Sequence, residues 1–175
     1  MNSDNPMREV MVEKVVINIG VGEGGEKLKK AERVIEILTG KKPVETKAKQ
    51  TIRDFNIRKR QPIGTKVTLR KKEAEDFLDR ALWVKNYKLP DYSFDETGSL
   101  SFGIKDYTSF QGVKYDPEIG IFGMDISVTF KRRGGYRVKY RKINTRQIPK
   151  RHRVTREEAM EFMKKRFNIE IVGVN

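Results

Sequence analysis

The stretch Pro62-Ile-Gly-Thr-Lys-Val-Thr-Leu-Arg70 alternates between two kinds of residue. Read as a strand, it puts Ile63, Thr65, Val67 and Leu69 on one face and Gly64, Lys66, Thr68 and Arg70 on the other. The second face forms no credible catalytic set. Its hydroxyls and cations are suited to hydrogen-bonding and neutralising a phosphate-and-sugar backbone. The preceding stretch, Pro43-Val-Glu-Thr-Lys-Ala-Lys-Gln50, adds Lys47 and Lys49 to the same chemistry.

The charge distribution extends this reading. Residues 41–72 hold 12 Lys and Arg against Glu45 and Asp54, and residues 131–153 hold 11 Lys and Arg with no acid. These two blocks exceed the net charge of +14 carried by all 175 residues, and residues 73–130 are acidic in balance. Such segregation marks a polyanion-binding side. The second block offers Arg132, Arg133, Arg137, Arg141, Arg151, His152 and Arg153 as phosphate contacts.

Nucleic acid is the first partner to expect and an anionic membrane the second. No long basic amphipathic helix is visible, and no run approaches the roughly 18 consecutive apolar residues of a membrane span. The first eight residues show no apolar signal-peptide core. There is no cysteine and a single histidine, His152, which removes disulfides, zinc ribbons and most Ser-His or Cys-His catalysis. A reducing, cytoplasmic protein without cofactor or metal is the expectation.

Three further constellations have two readings each. Gly20, Gly22 and Gly25 fit G-x-G-x-x-G between a strand and a helix, with Glu45 further on, as in a dinucleotide site. Against this, Glu23 and Glu26 would repel a pyrophosphate, and no doubly wound series follows. A tight turn accounts for the same glycines. The loop Gln50-Thr-Ile-Arg-Asp-Phe-Asn-Ile-Arg-Lys-Arg-Gln61 mixes Phe55 and Ile57 with Arg53, Arg58, Lys59 and Arg60. It reads as a projecting finger for a second RNA surface, or as a loop anchored by its apolar residues. Asp76, Asp79, Asp91, Asp95 and Glu96 form no converging ligand set and read as a solvated face.

The elements that position these residues follow from periodicity. Strands are expected over 12–19, 44–46, 63–70, 99–104 and 122–130, with a last short one over 169–172. A helix over 26–38 carries Leu28, Ala31, Ile35 and Leu38 in one stripe. A second, over 73–87, buries Phe77, Leu78, Ala81, Leu82 and Trp83. A third opens on the capping box Thr155-Arg-Glu-Glu158 and is buried through Ala159, Phe162, Met163 and Phe167. Residues 47–61 read as a long loop or loose hairpin, and 106–120 as a long loop with exposed aromatics.

This pattern predicts an α+β fold: a single domain over 1–175, a mainly antiparallel sheet with helices packed on one face, and an open RNA-binding face. The outward residues are Lys14 and Asn18, then Lys66, Thr68 and Arg70, then Ser99, Ser101, Ser127 and Thr129. None is aromatic, so the face suits structured RNA read by shape and not splayed bases held by stacking.

With those residues in view, four ordered blocks resemble a known family. Val12-Glu-Lys-Val-Val-Ile-Asn-Ile-Gly-Val-Gly-Glu23, Gly40-Lys-Lys-Pro-Val-Glu-Thr-Lys-Ala-Lys49, Pro62-Ile-Gly-Thr-Lys-Val-Thr-Leu-Arg70 and Gly120-Ile-Phe-Gly-Met-Asp-Ile-Ser-Val-Thr129 are similar to the signature blocks of large ribosomal subunit protein five. That family attaches 5S rRNA to the central protuberance. The long N-terminal helix of bacterial members is missing, and Arg151-His-Arg-Val-Thr-Arg-Glu-Glu-Ala-Met160 resembles archaeal and eukaryotic tails, which makes the resemblance archaeal in type.

The resemblance implies a scaffold protein without catalysis, built into the large subunit beside large-subunit rRNA and the neighbouring proteins of the central protuberance. It implies 5S rRNA contacts at Asn18, Lys41, Lys66, Thr68 and Arg70, although Lys41 stands where bacterial members often have a glutamine. It also implies that the loop 50–61 reaches P-site tRNA and that residues 106–120 face small-subunit protein thirteen. A dinucleotide-dependent enzyme and a non-specific nucleic-acid chaperone are the competing classes.

Overall fold

The computed structural model describes residues 5–133 and 137–173, so Gly134, Gly135 and Tyr136 of the basic segment lie outside the described residues. The elements run in the order β1 (Val10–Gly20), α1 (Glu26–Thr39), β2 (Val44–Lys47), β3 (Pro62–Leu69), α2 (Lys72–Val84), β4 (Lys88–Pro90), β5 (Leu100–Ile104), β6 (Met124–Arg132), α3 (Arg137–Tyr140), α4 (Arg156–Phe167) and β7 (Glu170–Val172). Five strands form an antiparallel sheet in the order β2-β3-β1-β6-β5. The α+β class expected from the sequence is the one observed. Because β3 lies between β1 and β2, the strand-helix-strand opening is a split unit.

The chain clusters into two compact units, each drawn from separate stretches. One contains the residues up to Val15, Arg70–Ser101 and the chain from Ser127 onward. The other contains Val16–Leu69 and Phe102–Ile126.

In the second of these, α1 buries Leu28, Ala31, Val34, Ile35 and Leu38, the three- and four-residue spacing of one helical stripe, and packs on β3. Fully burying one such aliphatic side chain contributes about 1.5–3 kcal/mol before ordering entropy is set against it. The helix stops at Gly40, whose φ of 66° lets its N–H reach Glu36 O at 2.7 Å. Residues 106–120 differ from expectation. Tyr107 and Phe110 are core residues, and Tyr115 is the exposed aromatic. A short turn Tyr107–Ser109, capped by Asp106 through the Thr108 N–H at 2.9 Å, points those two rings inward.

In the other unit, α2 buries Ala74, Phe77, Leu78, Ala81 and Leu82. Trp83, expected in that stripe, is 45% exposed, because a residue one step past Leu82 lies about 100° round the helix. The helix ends at Val84, before Asn86 and Tyr87, which both adopt positive φ. Next comes β4, an element the sequence does not announce, paired in parallel with β7 through Lys88↔Glu170 and Leu89↔Ile171. The capping box of α4 forms as expected: Thr155 and Glu158 each accept the other's backbone N–H. Ala159, Met163 and Phe167 are buried, while Phe162 is half-buried with its ring edge against Phe130 at 5.7 Å.

Candidate nucleic-acid interface

On β3, Thr65, Val67 and Leu69 are buried while Lys66 and Thr68 are exposed, so the alternation read from the sequence holds. Antiparallel register places β2 beside it: Val44 opposes Lys66, Thr46 opposes Gly64 and Lys47 opposes Pro62. Opposed residues share a face, so Val44, Thr46, Lys66 and Thr68 look the same way, while the register shifts between Thr46 and Lys47, and Lys47 is exposed at the end of β2. Gly64 is where this surface is tightest. A Cβ there would sit 2.7 Å from Ile19 O and 2.9 Å from Thr46 Oγ1, so glycine is required by close packing of neighbouring strands. Asn18, half-buried on β1, alternates with the buried Ile17 and Ile19. Lys41 follows the end of α1, where its N–H meets Thr39 Oγ1 at 3.3 Å. Lys49 is exposed beside the buried Ala48.

Residues 48–61 form a hairpin finger. Ala48 and Gln61 close its base with a 2.8 Å N–H to carbonyl bond, and Ile52 and Ile57 exchange bonds of 2.8 and 3.0 Å below the tip. At the tip, the Asn56 N–H reaches Arg53 O at 3.0 Å and Asn56 takes a φ of 53°. Phe55 crowns the turn at 72% exposure, and Arg53, Arg58, Lys59 and Arg60 are exposed around it. Of the two readings of this loop, Phe55 fits projection and the half-buried Ile57 fits anchoring.

The glycine turn 20–25 is occupied by the fold itself. The N–H groups of Val21 and Gly22 both donate to Ile63 O, at 2.9 and 2.8 Å. A dinucleotide site needs such amides free for phosphate. Glu23 pairs with Lys27 at the start of α1, so this lysine is engaged by a carboxylate of the chain and not offered to a pyrophosphate. Three of the acids singled out from the sequence, Asp79, Asp91 and Asp95, have internal partners. Asp79 accepts from the Tyr87 phenol at 3.3 Å, and Asp91 pairs with Arg156 at 2.8 Å. Asp95 accepts from the Thr97 hydroxyl at 2.6 Å, a bond that holds its carboxyl below the usual carboxylate range. Burial, with Asp79 beside it, pushes the Tyr87 phenol up. No metal-binding group of acids or histidine occurs among the described residues.

The remaining candidates belong to the other unit. Lys14 is half-buried on β1, and Arg70 is exposed directly after β3. In the basic segment, Arg137, Arg141 and Arg151 are exposed. Arg133 is exposed and paired with Glu9 at 3.3 Å. His152 and Arg153 are half-buried, the latter with Nε on Ile148 O at 3.2 Å. Arg132, expected as a phosphate contact, is paired within the protein. Its side chain is 13% exposed, and one terminal nitrogen lies 2.7 and 2.8 Å from the two oxygens of Glu158, the capping-box acid of α4. Its charge is engaged by a partly exposed carboxylate of the protein itself. We expect Arg132→Ala to lower stability by about 2 kcal/mol, since it leaves Glu158 partly buried without its partner. Arg137→Ala should stay within about 0.5 kcal/mol of the parent. Urea unfolding of both variants measures the contrast.

Residues 5–58 match the family described as Ribosomal protein L5, and residues 62–162 match the model of that ribosomal family's C-terminus. The chain belongs to the ribosomal protein L5 family. It is 58% identical over 168 residues, covering 96% of this chain and 99% of the relative, to Large ribosomal subunit protein uL5 of Thermoplasma volcanium. The protein of the same name from Sulfurisphaera tokodaii is 54% identical over 169 residues, with 96% and 95% covered. That of Methanosphaera stadtmanae is 48% identical over 167 residues, with 95% and 99% covered. The archaeal type read from the tail agrees with these sources.

Two features of this L5-family chain escape sequence reading. Val44 is 63% exposed directly opposite Lys66, where it can support the lysine's aliphatic stem. Nothing in the pattern of a four-residue strand marks which face it shows. Glu13 is buried on β1 next to the equally buried Val12, so strict alternation breaks there. A charged residue on the core side looks, in sequence, like an ordinary outward one.

Proposed function

We propose that this L5-family chain is a structural constituent of the large ribosomal subunit in the cytoplasm. Its role is to bind 5S rRNA and help attach it in the central protuberance. The observation that carries this is the surface of β2 and β3, which offers Lys66, Thr46 and Thr68, with the exposed Lys47 at its end and no aromatic among them. Cations and hydroxyls at strand spacing suit the phosphates and 2′-hydroxyls of an A-form RNA, whose major groove side chains do not enter. Asn18, Lys41, Lys49, Arg70 and Lys14 extend the set, in keeping with the family resemblance.

The finger supports a second contact, to P-site tRNA. An exposed phenylalanine among four exposed cations suits a ribose and base edge flanked by phosphates. Arg133, Arg137, Arg141, Arg151, His152 and Arg153 are proposed for large-subunit rRNA. Residues 106–120 are proposed to face small-subunit protein thirteen. Nothing in this reading calls for a catalytic group.

The test is affinity for 5S rRNA against tRNA and a random RNA duplex at two salt concentrations. A preference for 5S rRNA that persists at higher salt is expected. Equal affinities that collapse together would instead favour a non-specific chaperone bound through counterion release. Replacing residues 53–56 by a two-glycine turn should leave 5S rRNA affinity within about twofold, since the exposed tip beyond the Ile52–Ile57 pair touches little of the fold, and should weaken tRNA placement in reconstituted subunits. A parallel loss of 5S rRNA affinity would contradict the division between sheet and finger.

A further inference from the structure

One acid lies beneath the second cationic block. Glu13 is 6% exposed, and its Oε1 accepts the Tyr140 hydroxyl at 2.5 Å, joining residues 127 apart in sequence. No Lys or Arg among the described residues pairs with Glu13. Removing a carboxylate from water without a cation is costly. An apolar side chain would fill the same place more cheaply, so the carboxylate must supply something an apolar group lacks. What it supplies is a charge-assisted acceptor for a phenol.

Tyr140 ends α3, four residues that cannot hold a helix by themselves. The chain then folds back on this turn. The Arg141 N–H reaches Arg137 O at 3.0 Å, and the Arg146 N–H reaches Val138 O at 3.3 Å. Arg141 Nε meets Asn144 O at 2.7 Å, and Thr145 Oγ1 meets Arg141 O at 2.7 Å. Arg137, Lys139, Lys142 and Arg146 are all exposed on this small loop. Their mutual repulsion favours an open chain, so the closed shape requires an external tie.

We propose that Glu13 is a positioning residue for RNA binding: by holding Tyr140 it keeps the cationic loop 137–146 in one shape before RNA arrives. This rests on the reading of the basic segment as an rRNA-phosphate surface. A loop ordered in advance loses less conformational entropy when it meets phosphates.

The test turns on a sign. Glu13→Ala and Glu13→Gln each make the protein one charge more positive, so simple electrostatics predicts tighter RNA binding for both. The positioning role predicts that Glu13→Ala binds a large-subunit rRNA transcript about threefold to tenfold more weakly. It predicts that Glu13→Gln, whose amide oxygen still accepts, stays near wild type. Tyr140→Phe should weaken binding with no change of charge, and the double variant Glu13→Ala/Tyr140→Phe should be no weaker than the worse single one. Salt dependence should be shallower in the weakened variants, because fewer phosphates are met at once.

A variant with Arg137, Arg141 and Arg146 changed to alanine separates the two levels. Unchanged affinity there would overturn the RNA-surface reading and the proposal with it. Reduced affinity there, with Glu13→Ala and Tyr140→Phe binding as wild type or tighter, would overturn the role of Glu13 alone. Should Glu13→Ala fold poorly, Tyr140→Phe decides the matter, since it removes one hydroxyl from a largely exposed ring.

Discussion

Lys47→Glu combined with Lys66→Glu should lower 5S rRNA affinity by more than about a hundredfold at physiological salt while the protein stays folded. Both side chains are exposed, Lys66 on the outward face of β3 and Lys47 at the end of the neighbouring β2, past the shift in its register. Neither forms an ion pair among the described residues that its reversal would break. Stability should therefore move by no more than about 0.5 kcal/mol. Every phosphate left without its cation should also flatten the logarithmic salt slope by about 0.7–0.9. A gel-shift titration at several salt concentrations, with thermal unfolding alongside, measures both quantities. An unchanged affinity would move the 5S rRNA contact away from this face.

The largest loss of stability from a single methyl group is expected at Gly98. It closes the turn after Asp95, whose O accepts its N–H at 2.9 Å, at a φ of 73°. A Cβ at this position would lie 2.8 Å from Val154 O and 3.0 Å from Thr155 O, the backbone that opens α4. Both obstacles are backbone, so neither can swing aside. Gly98→Ala should cost about 2–4 kcal/mol, the sum of the left-handed penalty and overpacking. Gly112 has a φ of 79° with nothing within 4 Å of its Cβ position, so Gly112→Ala bears the first penalty alone. It should cost about 1 kcal/mol. Urea midpoints at unchanged m-values test the pair.

How far the sequence could be read follows from how regular each element is. The strands β3, β5 and β6 were legible because period two is unmistakable when one face is buried, as Leu100, Phe102 and Ile104 against Ser101 and Gly103 show. The start of α4 was legible because a capping box is local chemistry. β4 was not, because three residues ending in proline carry no period and its partner β7 is some eighty residues away. Tyr107 and Phe110 were misplaced because a loop has no face to extrapolate from.

The site was legible in a similar way. Lys66 and Thr68 could be placed from alternation alone. Arg132 could not be told from its exposed neighbours, because its partner Glu158 enters from another element. Glu13 likewise gives no local sign of the phenol that holds it.

The strand order has a consequence in time. β1 is made first, yet it lies between β3 and β6 in the finished sheet. During synthesis one edge of β1 can be covered once Leu69 has emerged, but the other waits for Met124, about a hundred residues after β1 ends. At ordinary elongation rates that is roughly 5–20 s. Through that interval a long strand with the apolar Val15, Ile17 and Ile19 presents an unpaired edge, and the cations of residues 41–72 have already emerged. The nascent chain is therefore both sticky and strongly basic before it is folded, so capture by a chaperone or early contact with RNA would protect it most in this window.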